Sequence, residues 1–235
     1  ETELISCTLL YMKKIFFILT LILSGLVSSG AAARTGCERL LPKPRLSFYT
    51  SYGKLRYDFS KDQMGITNVG IKFGVVEKGV FANGLATGTV KWEIDVSSEG
   101  RMGRGGTVCA YPVEIKFYLG FADPRIYVSR DLRKGSCMYD LVLRHEQTHQ
   151  QINVKALDYF IPLFRQALEK ISREIPAQPV EAATTAALSR GSEKIAELYS
   201  RRLEPLINVF KKELEIEQGK LDNPSNYEFE NSICR

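Results

Sequence analysis

The chain of 235 residues holds two histidines, and both fall in Arg144-His145-Glu146-Gln147-Thr148-His149, an HExxH arrangement. Imidazoles four residues apart project from adjacent turns on one face of a helix, so they can converge on a single divalent cation. Zinc suits such a pair, because its bonds to imidazole nitrogen run about 2.0–2.1 Å and three protein ligands leave a fourth position open. Glu146 follows the first histidine and is placed to handle protons instead of binding the metal. Zinc lowers the pKa of a bound water from about 15.7 to around 7, and a neighbouring carboxylate can take its proton and return one to a leaving amine. On this reading His145 and His149 are metal ligands, Glu146 is the general base, and the substrate is a peptide or protein. The competing reading is an amphipathic helix whose histidines are merely packed or solvated. Two histidines placed at random would fall four apart, with a glutamate directly after the first, in only about one chain of this length in 1,500.

These residues need a helix, and the pattern supplies one. Val142, His145, His149, Ile152, Ala156 and Tyr159 recur at three- and four-residue steps over 138–160, which places them on one helical face. Pro162 is expected to stop or kink that helix, with a second over 163–175. A break follows at 176–179. A long third helix over 180–218 carries Leu188, Ile195, Leu198, Leu203, Leu206, Phe210 and Leu214, with interruptions expected at Gly191 and Pro205. Asp140 reads as a cap near the motif helix start. Tyr139, Tyr159 and Arg144 flank the motif, either as packing and surface or as groups that polarise a scissile carbonyl.

Before the helices the period is two. Alternating aromatic and β-branched residues predict strands at 46–52, 55–59, 71–76, 87–96, 113–119 and 126–129, with a glycine-rich loop at 98–106 and Trp92 in the core. The fold class expected is α+β: a mostly antiparallel sheet, then the HExxH helix and further helices. A catalytic domain is expected over 34–176, with a C-terminal helical extension and polar tail over 177–235.

Composition is ordinary for a globular chain, with 44% hydrophobic and 25% charged residues. The net charge of +5 comes without a run of five basic residues, which argues against nucleic acid as a partner. Met12-Lys13-Lys14, the apolar stretch 15–27 and the small residues ending in Ala31 and Ala33 read as a signal peptide cleaved before Arg34, with 1–11 as upstream sequence. The apolar run is too short for a membrane span, and no lipid-anchor pattern precedes Cys37. The protein is therefore expected in the periplasm or outside the cell, without a stable anchor after cleavage. Cleavage would leave four cysteines, Cys37, Cys109, Cys137 and Cys234. An even count in an exported chain favours two disulfides, in any of three pairings.

Over HEQTH and the helix around it the chain resembles the zincin metallopeptidases and, more loosely, predicted secreted zinc-dependent proteases of bacteria. The resemblance implies a twisted sheet, with an edge strand that pairs with extended substrate, ahead of the motif helix. It also implies a third protein ligand. No histidine remains, so a carboxylate, a tyrosine or a cysteine must serve. Ile152 and Lys155 stand where the metzincin motif has Gly and His, which excludes that branch. Glu169 stands at the gluzincin spacing after His149 and is the leading candidate, although Arg173 replaces the aspartate that orients the first histidine there. Glu169 requires the chain to turn back near 158–162, since a straight helix would carry it about 30 Å away. Asp158, the aspzincin type, competes, and Glu174, a tyrosine or a remote acid remain open. The activity implied is that of an exported zinc peptidase. The alternative is an inactive metal-binding or interaction protein of the cell envelope.

Overall fold

The computed structural model describes residues 36–37 and 40–234; the expected signal peptide lies outside the described residues. A single long strand organises the sheet. β4 (Val108–Val128) buries Ile115, Phe117, Leu119 and Phe121 at alternate positions, the period at which side chains share one face of a strand. β3 (Gly84–Met102) runs antiparallel along one edge of β4, pairing Trp92 with Leu119. The other edge is shared end to end by β5 (Gln178–Val180), β1 (Arg45–Ser51) and β2 (Arg56–Asp58). β5 is antiparallel to β4, but β1 and β2 are parallel to it. The protein is thus mixed α/β with one open sheet, and the mostly antiparallel sheet expected from the sequence is not what forms. Alternation reports which side chains share a face; it carries no information about strand direction.

The expected strand at 71–76 is instead the end of a helix, α1 (Gln63–Phe73). Asp62 caps it by accepting from the Gly65 N–H, and Gly74 ends it at φ 73°. That left-handed geometry is one glycine adopts readily. Ile66, Thr67 and Gly70 are the residues it buries. The β-branched and aromatic residues around Phe73 suit a strand, but the Asp62 and Gly74 caps bound a helix here.

Two long helices cover one face of the sheet. α2 (Cys137–Glu174) begins at Ser136, whose hydroxyl accepts from the Tyr139 N–H. It runs without a break through Pro162, and α3 (Thr185–Leu221) likewise runs through Gly191 and Pro205. Both prolines sit on exposed faces, where water can serve the carbonyl left without its helical partner. α2 contributes Leu157, Phe160, Phe164, Leu168 and Ile171 to the core, and α3 contributes Ile195, Tyr199, Leu203, Ile207 and Phe210, all against the buried face of β4. Each such side chain stabilises by about 1.5–3 kcal/mol on burial.

The pairs Glu174–Arg202, Asn153–Gln218 and His145–Asp222 show that α3 returns antiparallel to α2. The helices are 38 and 37 residues long, so the end of α3 comes back level with the start of α2. A short helix, α4 (Pro224–Ile233), follows, and Cys234 just beyond it is bonded to Cys137, the first residue of α2. Cys37 and Cys109 form a second disulfide, buried at the start of β4. The described residues form one compact unit. Residues on both sides of 176/177 share one core, since α3 supplies half of the helical layer.

Candidate metal centre

His145 and His149 project from α2 toward the end of α3, with their Nε2 atoms 3.1 Å apart. The Nδ1 atoms fix the protonation of both rings. Gln218 donates from Nε2 to the His149 carbonyl at 3.1 Å and to Asn153 Oδ1 at 2.8 Å, so its Oε1 is left to accept from His149 Nδ1. His145 Nδ1 faces Glu230 Oε2 at 3.0 Å. A carboxylate accepts and an amide oxygen accepts, so each Nδ1 carries the proton and each Nε2 presents a lone pair. Holding a histidine tautomer through its far nitrogen is the usual means of presenting imidazole to a metal.

The third corner is Asp222, at the C-terminal cap of α3. Its Oδ1 lies 3.1 Å from His145 Nε2 and 3.1 Å from His149 Nε2. Three lone-pair donors therefore face one another on an equilateral triangle. Sides of 3.1 Å are short enough for all three atoms to serve one small divalent cation such as zinc. His145, His149 and Asp222 could hold a metal ion. Tyr227 of α4 donates to the same Asp222 Oδ1 at 2.7 Å and stacks its ring on His145, with centroids 5.4 Å apart.

Electrostatics follow from this crowding. Burial works to raise the Asp222 carboxyl, but hydrogen bonds from the imidazoles in their doubly protonated form and from Tyr227 outweigh it and hold the group well below its ordinary value. Burial works to depress the two histidines; hydrogen bonds with Asp222 and the surrounding carboxylates, together with Gln218 at His149, move both above 6.5. A proton thus occupies the triangle readily in the metal-free protein.

Glu146 lies about 100° further round α2, facing the sheet. It is 6% exposed, and the nearby Ala86 backbone N–H of β3 slightly favours its ionised form. Burial pushes its carboxyl up to about 7, against the pull of His149 and His145. The close approach of β3 requires glycine at 84, where an added Cβ would stand 2.5 Å from Glu146 Oε1 and 2.6 Å from Val142.

Glu169 does not join the group. Because α2 continues as one helix through Pro162, Glu169 lies about 30 Å along the helix from His149, exposed to solvent. Asp158 accepts from the Tyr52 hydroxyl, and Glu174 pairs with Arg202. Asp222, Gln218, Tyr227 and Glu230 were not singled out by the sequence reading. One signal pointed to them: of the three cysteine pairings, Cys137–Cys234 alone ties the tail to the start of the motif helix. A cleft of about 200 Å³ opens beside His145, between Leu141, Arg144 and Thr148 of α2 and Phe229, Glu230 and Ile233 of α4.

No protein-family model, curated protein or solved structure matches the chain. The functional reading therefore stands on the geometry of these residues.

Proposed function

We propose that the protein is an exported zinc-dependent peptidase, with His145, His149 and Asp222 holding the metal and Glu146 as general base. One observation carries this reading: two imidazole nitrogens, each with its far nitrogen held by a hydrogen-bond acceptor, meet a carboxylate oxygen on a 3.1 Å triangle next to a buried carboxylate. Two imidazoles and a carboxylate with a fourth position left over are a ligand set that zinc adopts in hydrolases. Zinc supplies Lewis acidity there and makes water acidic enough to lose a proton near neutral pH.

The chain's own groups supply the rest. A carboxylate poised near pH 7 exchanges protons in both directions at neutral pH, so Glu146 would take a proton from the attacking water and deliver one to the departing amine nitrogen. Tyr227, whose hydroxyl already lies at Asp222, is the nearest phenol to the triangle and a candidate donor to charge developing on the scissile carbonyl oxygen. Export is supported by the two disulfides and by the sequence pattern at 12–33. Among the described residues no helix is long and apolar enough to cross a membrane.

A second reading, an inactive metal-binding protein of the envelope, is favoured by the Tyr227 ring lying over His145. The two separate on Glu146→Gln. The peptidase reading expects one zinc per chain in both proteins, with hydrolysis of an unstructured protein substrate lower by about 10²–10⁴ in the variant. Equal rates in the two proteins would reject it, and zinc binding without hydrolysis in either supports the second reading.

A further inference from the structure

The two disulfides differ in their surroundings. Cys37 and Cys109 are both fully buried. Cys137 is exposed and Cys234 half-buried, so a reductant can approach this pair without unfolding the core. The exposed pair also has something to hold. α4 buries none of its residues, so apolar packing contributes little to its position. Yet α4 carries Tyr227, which hydrogen-bonds Asp222 and stacks on His145, and Glu230, which accepts a hydrogen bond from His145 Nδ1. Its far end is fastened by Cys234 to Cys137, about two helical turns ahead of His145.

We infer that Cys137–Cys234 is a redox-modification site that sets how tightly the metal is held. The inference rests on the metal centre proposed above. A dithiol reductant would attack one sulfur through a thiolate, displacing the other as a thiol and forming a mixed disulfide. The second thiol of the reductant then resolves it. The reductant leaves as a disulfide, and two electrons and two protons end on Cys137 and Cys234. The freed α4 has a 10-residue helix's worth of weakly packed chain, too short to persist alone in water. Losing it takes the carboxylate from His145 Nδ1 and the hydroxyl from Asp222, while the three metal-binding side chains stay on α2 and α3. Outer partners of this kind contribute 10–100-fold in metal affinity. The metal would therefore be held tightly where the disulfide is oxidised and released more readily where it is reduced.

The test is zinc titration against a competing chromophoric chelator, with the oxidised full chain beside Cys137→Ser/Cys234→Ser, which removes the thiols as rival ligands. Affinity 10–100-fold weaker in the double variant is expected, with far-UV circular dichroism lower by no more than the ten residues of α4 contribute. Brief treatment of wild type with a phosphine reductant, followed by alkylation and mass spectrometry, should label Cys137 and Cys234 before Cys37 and Cys109. Tyr227→Phe and Glu230→Gln in the oxidised protein should each weaken zinc, and should weaken it much less in the double-serine background, because α4 no longer delivers those groups. Equal zinc affinity in the oxidised chain and the double-serine variant would overturn the inference while leaving the metal centre standing. No zinc bound by the oxidised chain would overturn both.

Discussion

Gln218 grips His149 at two points: its Nε2 donates to the His149 carbonyl at 3.1 Å while its Oε1 accepts from the Nδ1 of the same residue. One amide thereby sets the ring's tautomer, orients it, and joins the end of α3 to the helix that carries both histidines. Gln218→Leu should keep the fold, since the residue is only half-buried. Zinc affinity should fall 10–100-fold, read by chelator competition. Unchanged affinity would mean that the amide contact does not orient the ring.

The identity of the third ligand makes a sharp contrast. Asp222→Ala should reduce bound zinc to well below one per chain at micromolar metal, as should His145→Ala or His149→Ala. Glu169→Ala should leave it at one, because that side chain sits in solvent about 30 Å away along α2. Elemental analysis of the purified variants decides the matter.

The pH dependence has a definite sign. His145 and His149 titrate above 6.5 in the metal-free protein. Their protonated forms are favoured by folding, so that contribution to stability is present below pH 6.5 and is lost as pH rises through the folded values. Zinc needs both Nε2 atoms free, and each proton it displaces weakens binding by about tenfold per unit fall in pH. The rise in melting temperature on adding zinc should therefore be small at pH 6 and should widen steadily toward pH 8. A zinc-induced shift that is constant across this window would contradict the proposed ligands. Removing the metal with a chelator at pH 8 should cost the most stability.

Gly84→Ala tests the position of Glu146. The added methyl would meet Glu146 Oε1 and Val142, and overpacking of this kind costs about 1–3 kcal/mol. The variant should retain zinc and lose most of its hydrolytic rate through a fall in kcat, with KM little changed. Loss of zinc together with activity would show that the clash is relieved by moving α2 itself.

Some of this was legible in the chain as written. The spacing of His145, Glu146 and His149 within a 3.6-residue apolar pattern dictates that both imidazoles leave one face of a helix, and local periodicity needs no partner to be read. An even set of cysteines pointed to the two disulfides that form. The period-two runs located β1 and β2 to within one residue, but they split the single strand β4 into runs at 113–119 and 126–129 and put a loop at 98–106 where β3 continues to Met102. Strand direction, the continuity of α2 through Pro162 and the choice of Asp222 depend on what lies far away in sequence. Pro162 is tolerated because it faces water, and exposure is a property of the packed molecule. Asp222 stands 73 residues after His149. Only the antiparallel return of α3, set by core packing along two helices of matched length, brings that carboxylate level with the imidazoles, and only the Cys137–Cys234 bond places Tyr227 and Glu230 behind them. Local pattern can specify a helix face, but a site assembled from remote segments exists only once burial has aligned them.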